Sequence, residues 1–407
     1  MKDLLKKYFG YDRFRSMQKE IINHTIQGKD SLVIMPTGAG KSLCYQIPAL
    51  KFEGLTLVIS PLISLMKDQV DSLNANGISA EYINSSLSFE EIEDIKERIQ
   101  EGKVKMLYVA PERLALDSFK LFLASIQISL IAIDEAHCIS EWGHDFRQEY
   151  RNLRFLKDSF STVPIIALTA TATLKVKEDI LKQLSLNNPQ IFVSSFNREN
   201  LNLIVRRKKN TFNQILNLLK KHKNESVIIY CFSRKDSEKI AQNLRENGFN
   251  ALPYHAGLGN EVRKKNQEMF IKDKVNIIVA TIAFGMGIDK PDVRLIIHHT
   301  FSKTLESYYQ EIGRAGRDGL PSDCVLFYSY GDKRKHEFFI KQIMDEFVQK
   351  KSRDQLRIMM NYCDCTYCRR RYILRHFGEY MQESNCNGCD ICLDIPEIKE
   401  VRERKII

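Results

Sequence analysis

Residues 35–42 read Met-Pro-Thr-Gly-Ala-Gly-Lys-Ser, and this stretch decides the fold of the first half of the chain. It follows the apolar run 32–35 and precedes the helix-compatible run 43–46, which is the strand–loop–helix context of a phosphate-binding P-loop. The small residues Gly38, Ala39 and Gly40 let backbone N–H groups close around phosphates, and the helix that follows adds its dipole. The stretch therefore predicts a nucleotide-binding α/β domain.

Two side chains of this loop suit ATP and its metal ion. Lys41 is long enough to reach the β- and γ-phosphates, and Ser42 can hold Mg²⁺. We predict that Thr37 and the three small residues complete the ATP site. Met35 stands where the general pattern begins with glycine, but Gly-Lys-Ser and its context are intact. The alternative is a glycine-rich turn that merely contains a lysine.

Apolar runs recur along the chain in alternation with helical patterns. They lie at residues 32–35, 55–60, 106–110, 130–134 and 165–169, and again at 227–231, 277–280, 295–299 and 325–328. Near-continuous apolar runs indicate parallel strands that are buried on both faces. We therefore predict two tandem doubly wound parallel-sheet domains at residues 1–197 and 198–332, with a polar linker at 194–200. A helical segment is predicted at 333–407, beginning with a helix over 333–349.

Composition and charge narrow the classes of function. Of the 407 residues, 43% are hydrophobic and 28% are charged, which is enough apolar material for full cores. No stretch approaches the roughly 20 apolar residues of a membrane span, and residues 1–9 lack the apolar run of a signal peptide. We therefore expect a cytoplasmic protein with no membrane partner. The net charge of +10, concentrated in residues 201–350, is compatible with a phosphate-backbone partner.

A pair of carboxylates ends the apolar run 130–133, in the sequence Asp134-Glu135-Ala136-His137. Carboxylates there lie at the carboxyl edge of a parallel sheet, where α/β proteins bind ligands. We predict that Asp134 holds Mg²⁺ through water and that Glu135 orients and deprotonates the water that attacks ATP. The alternative is a solvated acidic loop, which the P-loop in the same half of the chain disfavours.

The second half carries two arginines three residues apart, in the stretch 310–319, Gln-Glu-Ile-Gly-Arg-Ala-Gly-Arg-Asp-Gly. Residues at that spacing share a face if the stretch is helical. Charge on a departing γ-phosphate is stabilised by a guanidinium, which a neighbouring domain can supply as an arginine finger. Arg314, Arg317 and Gln310 are therefore candidate catalytic residues, and a solvated basic helix is the alternative.

Six of the ten cysteines lie between residues 363 and 392. Such clustering in a cytoplasmic protein favours a metal site over disulfides. Four thiolates suit a structural, tetrahedral Zn²⁺, and the predicted ligands are Cys368, Cys386, Cys389 and Cys392. On spacing alone, Cys363 or Cys365 could replace Cys368. The scattered cysteines are interpreted as buried apolar residues; they are Cys44, Cys138, Cys231 and Cys324.

Taken together, residues 8–394 resemble the RecQ family of superfamily 2 helicases. The resemblance implies that both α/β domains are RecA-like and that the four cysteines belong to a zinc-binding subdomain. Residues 10–18 are similar to the family's adenine-binding segment, in which Tyr11 would stack on the base, Gln18 would read its edge and Arg15 would assist. Further motifs are similar at 60–69, 110–114, 168–172, 230–234, 254–258 and 280–290. The last of these implies a nucleotide-binding role for Asp289.

The most family-specific stretch is residues 138–147, Cys-Ile-Ser-Glu-Trp-Gly-His-Asp-Phe-Arg, directly after the acidic residues. It resembles the aromatic-rich loop by which these helicases sense single-stranded DNA. Exposed Trp142 and Phe146 could stack on bases, and Arg147 could pair with a phosphate. His144 is assigned to the same coupling loop. The alternative is that Trp142 and Phe146 are core anchors.

The resemblance implies a DNA helicase that moves 3′ to 5′ on single-stranded DNA, driven by ATP and Mg²⁺, in DNA repair or recombination. Its partners would be single-stranded and tailed duplex DNA, and we expect it to act as a monomer. Many relatives carry a winged-helix domain that this sequence lacks. The alternative is therefore a DNA-stimulated translocase that separates strands poorly. A binding scaffold without hydrolysis is disfavoured by the complete set of hydrolytic residues.

Overall fold

The computed structural model describes residues 1–285 and 290–395. The chain divides into two compact units, Met1–Phe196 and Asn197–Ile407, and each contains one parallel β-sheet. The predicted class, two α/β domains, is confirmed. The segment 194–200 has neither helix nor strand. None of the described helices is long and apolar enough to cross a membrane.

The sheet of the first unit has seven strands. They are β1 (Ser31–Ile34), β2 (Leu55–Ile59), β3 (Ala80–Ile83), β4 (Met106–Val109), β5 (Ile128–Ile133), β6 (Ile165–Thr169) and β7 (Gln190–Val193). Their order across the sheet is β3-β4-β2-β5-β6-β1-β7. The five predicted apolar runs correspond to the five interior strands. Every residue of β1, β2, β4 and β6 is buried, as expected for parallel strands that are covered on both faces.

Helices surround this sheet. The α-helices are α1 (Lys2–Phe9), α2 (Gln18–Ile26), α3 (Leu43–Ala49), α4 (Ile63–Ala75), α5 (Phe89–Gln100), α6 (Asp117–Ala124), α7 (Gln148–Arg151), α8 (Arg154–Ser159) and α9 (Leu174–Leu184). Two short 3₁₀ helices lie at Pro111–Ala115 and Ala136–Ile139. The core includes fully buried Val33, Val58, Ala132 and Leu168, one from each of four central strands. This core fixes the strand ends from which the functional loops leave.

The sheet of the second unit has six strands. They are β8 (Leu201–Arg207), β9 (Ser226–Tyr230), β10 (Ala251–Tyr254), β11 (Ile277–Ala280), β12 (Val293–His298) and β13 (Ser322–Tyr328), in the order β10-β11-β9-β12-β13-β8. The helices are α10 (Thr211–Lys221), α11 (Arg234–Glu246), α12 (Asn260–Ile271), α13 (Leu305–Ile312), α14 (Tyr330–Ile340), α15 (Glu346–Asp364) and α16 (Arg369–His376). Again the predicted runs correspond to the four interior strands.

The predicted single helix over residues 333–349 is wrong. The structure has two helices there, α14 and α15, separated by residues 341–345. The Asp345 side chain caps α15 by accepting a hydrogen bond from the Val348 backbone N–H at 2.9 Å. A carboxylate at a helix N-cap satisfies a backbone donor that has no partner within the helix. Apolar residues continue at helical spacing across residues 341–345, and the sequence pattern therefore did not reveal the break.

Candidate functional site

The P-loop joins the carboxyl end of β1 to the start of α3. Gly38 and Gly40 have φ values of +83° and +79°, which glycine adopts without the strain of a side chain. A Cβ atom on Gly40 would lie 2.5 Å from Nε2 of Gln18. The Lys41 ammonium donates to the carbonyl oxygen of Met35 at 3.2 Å. The glycine-rich turn is therefore folded as a backbone cradle with a cation at its base.

Arg15, which precedes α2, and Gln18, its first residue, both contact this cradle. Gln18 Nε2 donates to the carbonyl oxygens of Gly40 at 2.9 Å and of Ala39 at 3.2 Å. The Arg15 guanidinium donates to the carbonyl oxygen of Gly38, and its backbone N–H donates to Gln18 Oε1 at 2.8 Å. The structure thus brings Arg15 and Gln18 to the phosphate loop, while the ring of Tyr11 is 52% exposed.

The acidic pair follows β5, and one strand, β6, separates β5 from β1 in the sheet. Thr169 ends β6 and connects the two loops. Its carbonyl oxygen accepts from the Met35 N–H at 3.1 Å, and its hydroxyl lies 2.9 Å from Nδ1 of His137. Nδ1 of His137 also lies 3.2 Å from a carboxylate oxygen of Glu135. Asp134, Glu135 and the P-loop therefore occupy one edge of one sheet.

The two carboxylates have opposite electrostatic environments. Burial raises the pKa of Asp134 to about 7, and the charge of Glu135 acts in the same direction, whereas Lys41 opposes the rise. Burial also opposes ionisation of Glu135, but the hydrogen bond and charge of His137 hold its pKa at about 2. Glu135 has a φ of +47°, a left-handed value that costs a non-glycine residue conformational energy. His137 therefore favours the ionised form of Glu135, whereas burial favours the protonated form of Asp134.

The aromatic loop, residues 138–147, presents its two large rings to solvent. Trp142 is 41% exposed and Phe146 is 37% exposed, so neither is a core anchor. Lys175 Nζ lies 4.9 Å from the Trp142 ring centroid, and the guanidinium of Arg151 lies 5.6 Å from that of Phe146. Exposed rings flanked by cations are suited to stacking on bases whose phosphates carry negative charge.

The same loop contacts the acidic pair through two histidines. The His144 ring stacks on the His137 ring with centroids 4.4 Å apart and planes inclined by 12°, and His137 contacts Glu135. Arg147 donates to the carbonyl oxygen of Pro61 at 2.6 Å, and it also lies 3.3 Å from Asp145. The connecting role of His137 was not predicted from the sequence. Its signal was its place in the acidic motif, next to the aromatic loop.

The arginine loop, residues 313–320, follows α13 in the second unit. The helix ends at Ile312, so the expectation that Arg314 and Arg317 share a helix face is wrong. Gly316 has a φ of +53°, and the chain turns there. The solvated alternative fails for Arg314, which is 5% exposed; Arg317 is half-buried. Gln310 is in the last turns of α13, and Asp289 lies outside the described residues.

The four predicted zinc ligands come together. The sulfur atoms of Cys368, Cys386, Cys389 and Cys392 all lie within 4.8 Å of one another. Hydrogen bonds from Cys368 and Cys389 hold the pKa of the Cys386 thiol far below its usual value. Cys363 and Cys365 are not members of this group, and Cys365 Sγ instead lies 3.4 Å from the carbonyl oxygen of Tyr367. Four converging thiols, one of which favours the thiolate, fit tetrahedral Zn²⁺.

Three parts of the chain match models of known protein families. Residues 15–180 match the DEAD/DEAH box helicase model, and residues 208–319 match the helicase conserved C-terminal domain. Residues 330–393 match the RecQ zinc-binding model, so the chain has a zinc-binding domain after its two RecA-like domains. The matched ranges contain the P-loop, the acidic pair, Arg314 and Arg317, and the four cysteines predicted to bind zinc.

Similar proteins were found among both sequences and structures. The chain is 48% identical to the ATP-dependent DNA helicase RecQ of Pasteurella multocida, over 97% of this chain and 62% of that protein. It is 46% identical to the protein of the same name from Bacillus subtilis, over 99% of this chain and 69% of that protein. The DUF1998 helicase MrfA, solved with DNA and AMPPNP, is similar with a TM-score of 0.70 and 17% identity, over 100% of this chain and 59% of that one. The last match shows a shared fold. The match to the Bacillus subtilis protein, of which the chain covers 69%, shows that the chain belongs to the RecQ family of helicases.

Proposed function

We propose that the chain is the motor of an ATP-dependent DNA helicase that moves 3′ to 5′ along single-stranded DNA and separates duplex strands. One observation carries this proposal. The P-loop and the two carboxylates share one sheet edge, and the exposed aromatic loop is connected to the Glu135 carboxylate through the stacked rings of His144 and His137. Residues 134–147 therefore contain both the carboxylates of the proposed ATP site and the proposed surface for single-stranded DNA.

ATP would be held mainly by the first unit. The backbone of residues 37–40 would surround the phosphates, with Lys41 at the β- and γ-phosphates. Tyr11, Arg15 and Gln18 would hold the adenine, and Asp289 would contact the nucleotide from the second domain. The proposed domains are residues 1–197 and 198–332 for the motor and 333–407 for the zinc-binding subdomain.

Mg²⁺ fits the first unit because the buried Asp134 carboxyl lies at the same sheet edge as the P-loop, and a cation there would favour its ionised form. Ser42 and Asp134 would hold the ion, which would neutralise phosphate charge as the γ-phosphate departs. Glu135, kept ionised by His137, would orient the attacking water and accept its proton. Arg314 and Arg317, supported by Gln310, would stabilise the charge that develops on the γ-phosphate.

DNA would act on hydrolysis through the aromatic loop. A base stacked on Trp142 or Phe146 would move His144 against His137, which already contacts Glu135. Arg147, now bonded to Pro61, would be released to a phosphate. We further propose that the protein acts as a monomer in DNA repair or recombination, on single-stranded and tailed duplex DNA, in the cytoplasm.

Strand displacement tests the proposal. DNA and RNA duplexes with 3′ or 5′ single-stranded tails are mixed with protein, ATP and Mg²⁺, and released strand and ADP are followed together. We expect release from the 3′-tailed DNA duplex and little from the 5′-tailed one. ADP formation without strand release would favour a translocase, and release from RNA alone would overturn the assignment to DNA.

A further inference from the structure

The zinc loop, residues 386–392, extends the sheet of the second unit. β8 is an edge strand, and its free side is covered by this loop. The Leu203 N–H donates to the carbonyl oxygen of Gly388 at 2.8 Å, and the Asp390 N–H donates to the carbonyl oxygen of Leu203 at 3.0 Å. The Asp390 carboxylate also accepts from the Val205 N–H at 2.9 Å. The conformation of the loop is therefore coupled to the position of β8, and a zinc ion that orders the loop would also stabilise this edge of the sheet.

Two buried arginines reinforce this coupling. They begin α16, directly after the zinc ligand Cys368. Arg369 Nε donates to the Asp390 carboxylate at 2.6 Å. Arg370 donates to the carbonyl oxygens of Arg198 at 2.5 Å and of Leu201 at 2.6 Å. The zinc-binding subdomain thus binds the backbone that leads into β8. Arg370, which makes these hydrogen bonds, is only 4% exposed.

The Arg198 side chain extends from that backbone to the arginine loop. One of its terminal nitrogens donates to the carbonyl oxygens of Ala315 and Gly316, both at 2.9 Å, and the other donates to that of Gly313 at 3.4 Å. Asn200 Nδ2 donates to the Gly316 carbonyl as well, at 2.9 Å. These carbonyls belong to the turn that follows α13, and the fixed fork of guanidinium N–H donors allows one arginine to bind several of them. Arg198 therefore holds the loop in which Arg314 and Arg317 lie.

We infer that Arg198 is a positioning residue for the two hydrolytic arginines, and that the zinc-binding subdomain supports ATP hydrolysis through Arg370 and Arg198. The inference rests on the proposed role of Arg314 and Arg317. Its physical basis is the planar guanidinium fork, which binds several carbonyls at fixed angles as a lysine ammonium cannot. Without the fork, the loop keeps its arginines but loses the constraint that orders them.

The first test measures steady-state ATP hydrolysis with single-stranded DNA present. We expect Arg198→Gln to lower kcat by about tenfold to 10²-fold, the cost of misplacing a catalytic group by about 1 Å. KM for ATP, zinc content and Tm should stay near the wild-type values. Arg198→Lys, the milder variant, should lower kcat less. Arg245→Gln is the matched control, because Arg245 donates to the Ala251 carbonyl at 2.9 Å elsewhere in the unit. Its kcat should be unchanged.

The second test separates positioning from a general loss of structure. Hydrogen exchange should speed up in residues 313–320 of Arg198→Gln and of Arg370→Lys, with zinc still bound, and not in Arg245→Gln. In single turnovers, adding Arg198→Gln to the Arg314→Ala, Arg317→Ala double variant should cause no further loss, because the residues to be positioned are gone.

The outcomes distinguish this inference from the proposed function. If Arg314→Ala and Arg317→Ala hydrolyse ATP normally, the proposed arginine role fails, and this inference fails with it. If they do not hydrolyse ATP but Arg198→Gln does so at the wild-type rate, only the inference is overturned. An equal loss from Arg198→Gln in the wild-type and double-variant backgrounds would also overturn it.

Discussion

The two loops that carry the proposed hydrolytic residues are held in different ways. The P-loop and the acidic pair leave the carboxyl ends of β1 and β5 and are connected by Thr169 at the end of the strand between them. The arginine loop instead precedes β13, and its carbonyls are bound by side chains from residues 198 and 200. The first site is built by its own sheet, whereas the second depends on residues more than a hundred positions away. Nucleotide binding and hydrolysis should therefore be separable by mutation.

The largest effect is expected from the arginines. Arg314→Ala or Arg317→Ala should lower the rate of ATP hydrolysis by roughly 10³–10⁵, the range for loss of an arginine finger, and leave DNA affinity nearly intact. Hydrolysis is measured with saturating single-stranded DNA, and affinity by fluorescence anisotropy. Arg334→Ala, which removes an exposed arginine of α14, is the control. Normal hydrolysis by both variants would contradict the proposed role of the arginine loop in ATP hydrolysis.

Glu135→Gln should have the next largest effect. Loss of a general base typically costs about 10²–10⁴ in rate, and the amide keeps the shape of the side chain. Affinity for a nonhydrolysable ATP analogue should be retained. Lys41→Ala should lose both binding and turnover, because the phosphates lose their cation. Glu149→Gln changes an exposed carboxylate in the same unit and serves as the control. Wild-type turnover by Glu135→Gln would remove Glu135 from the mechanism.

Loss of the two exposed rings should remove stimulation alone. The Trp142→Ala, Phe146→Ala double variant should hydrolyse ATP at the basal rate at every concentration of single-stranded DNA. Each stacked base contributes about 1–3 kcal/mol, but most affinity should come from backbone contacts and fall with salt. Phe89→Ala, another exposed ring of the first unit, should be stimulated normally. Full stimulation of the double variant would exclude the loop from coupling.

The smallest effect on nucleotide binding is expected from the zinc site. Cys389→Ser should lower the zinc content from about one per chain and destabilise the second unit, because the zinc loop covers β8. ATP affinity should change little, since the P-loop lies in the other unit. Cys365→Ser is the matched control, because Cys365 lies outside the four-sulfur group. Metal analysis and thermal unfolding are the measurements. Full zinc content in Cys389→Ser would contradict the predicted ligand set.

The sequence predicted the interior of both sheets and missed their edges. The four unpredicted strands are β3 and β7 in the first sheet and β8 and β10 in the second, and these are the outermost strands. An interior parallel strand is buried on both faces and appears as an apolar run. An edge strand is partly exposed: β7, for example, has one buried residue in four. Its sequence therefore lacks the pattern on which the prediction relied.

The same distinction applies to the sites. The P-loop, the acidic pair and the cysteine cluster were recognisable because spacing within a short segment defines their chemistry. The supports of the arginine loop were not recognisable, because Arg198 and Arg370 act through backbone carbonyls far along the chain. No local pattern marks an arginine that binds a distant carbonyl. The turn at Gly316 was not predicted either. Glycine can adopt a positive φ, but the sequence does not show which glycines do so.

One reaction tests the central claim most directly. Strand release from a 3′-tailed DNA duplex and ADP formation are recorded together for the wild-type protein and for Glu135→Gln, with ATP and Mg²⁺. We expect the wild-type protein to separate the strands as ADP forms. Glu135→Gln should bind ATP and DNA but neither form ADP nor separate the strands. Strand separation by Glu135→Gln at the wild-type rate would contradict this claim.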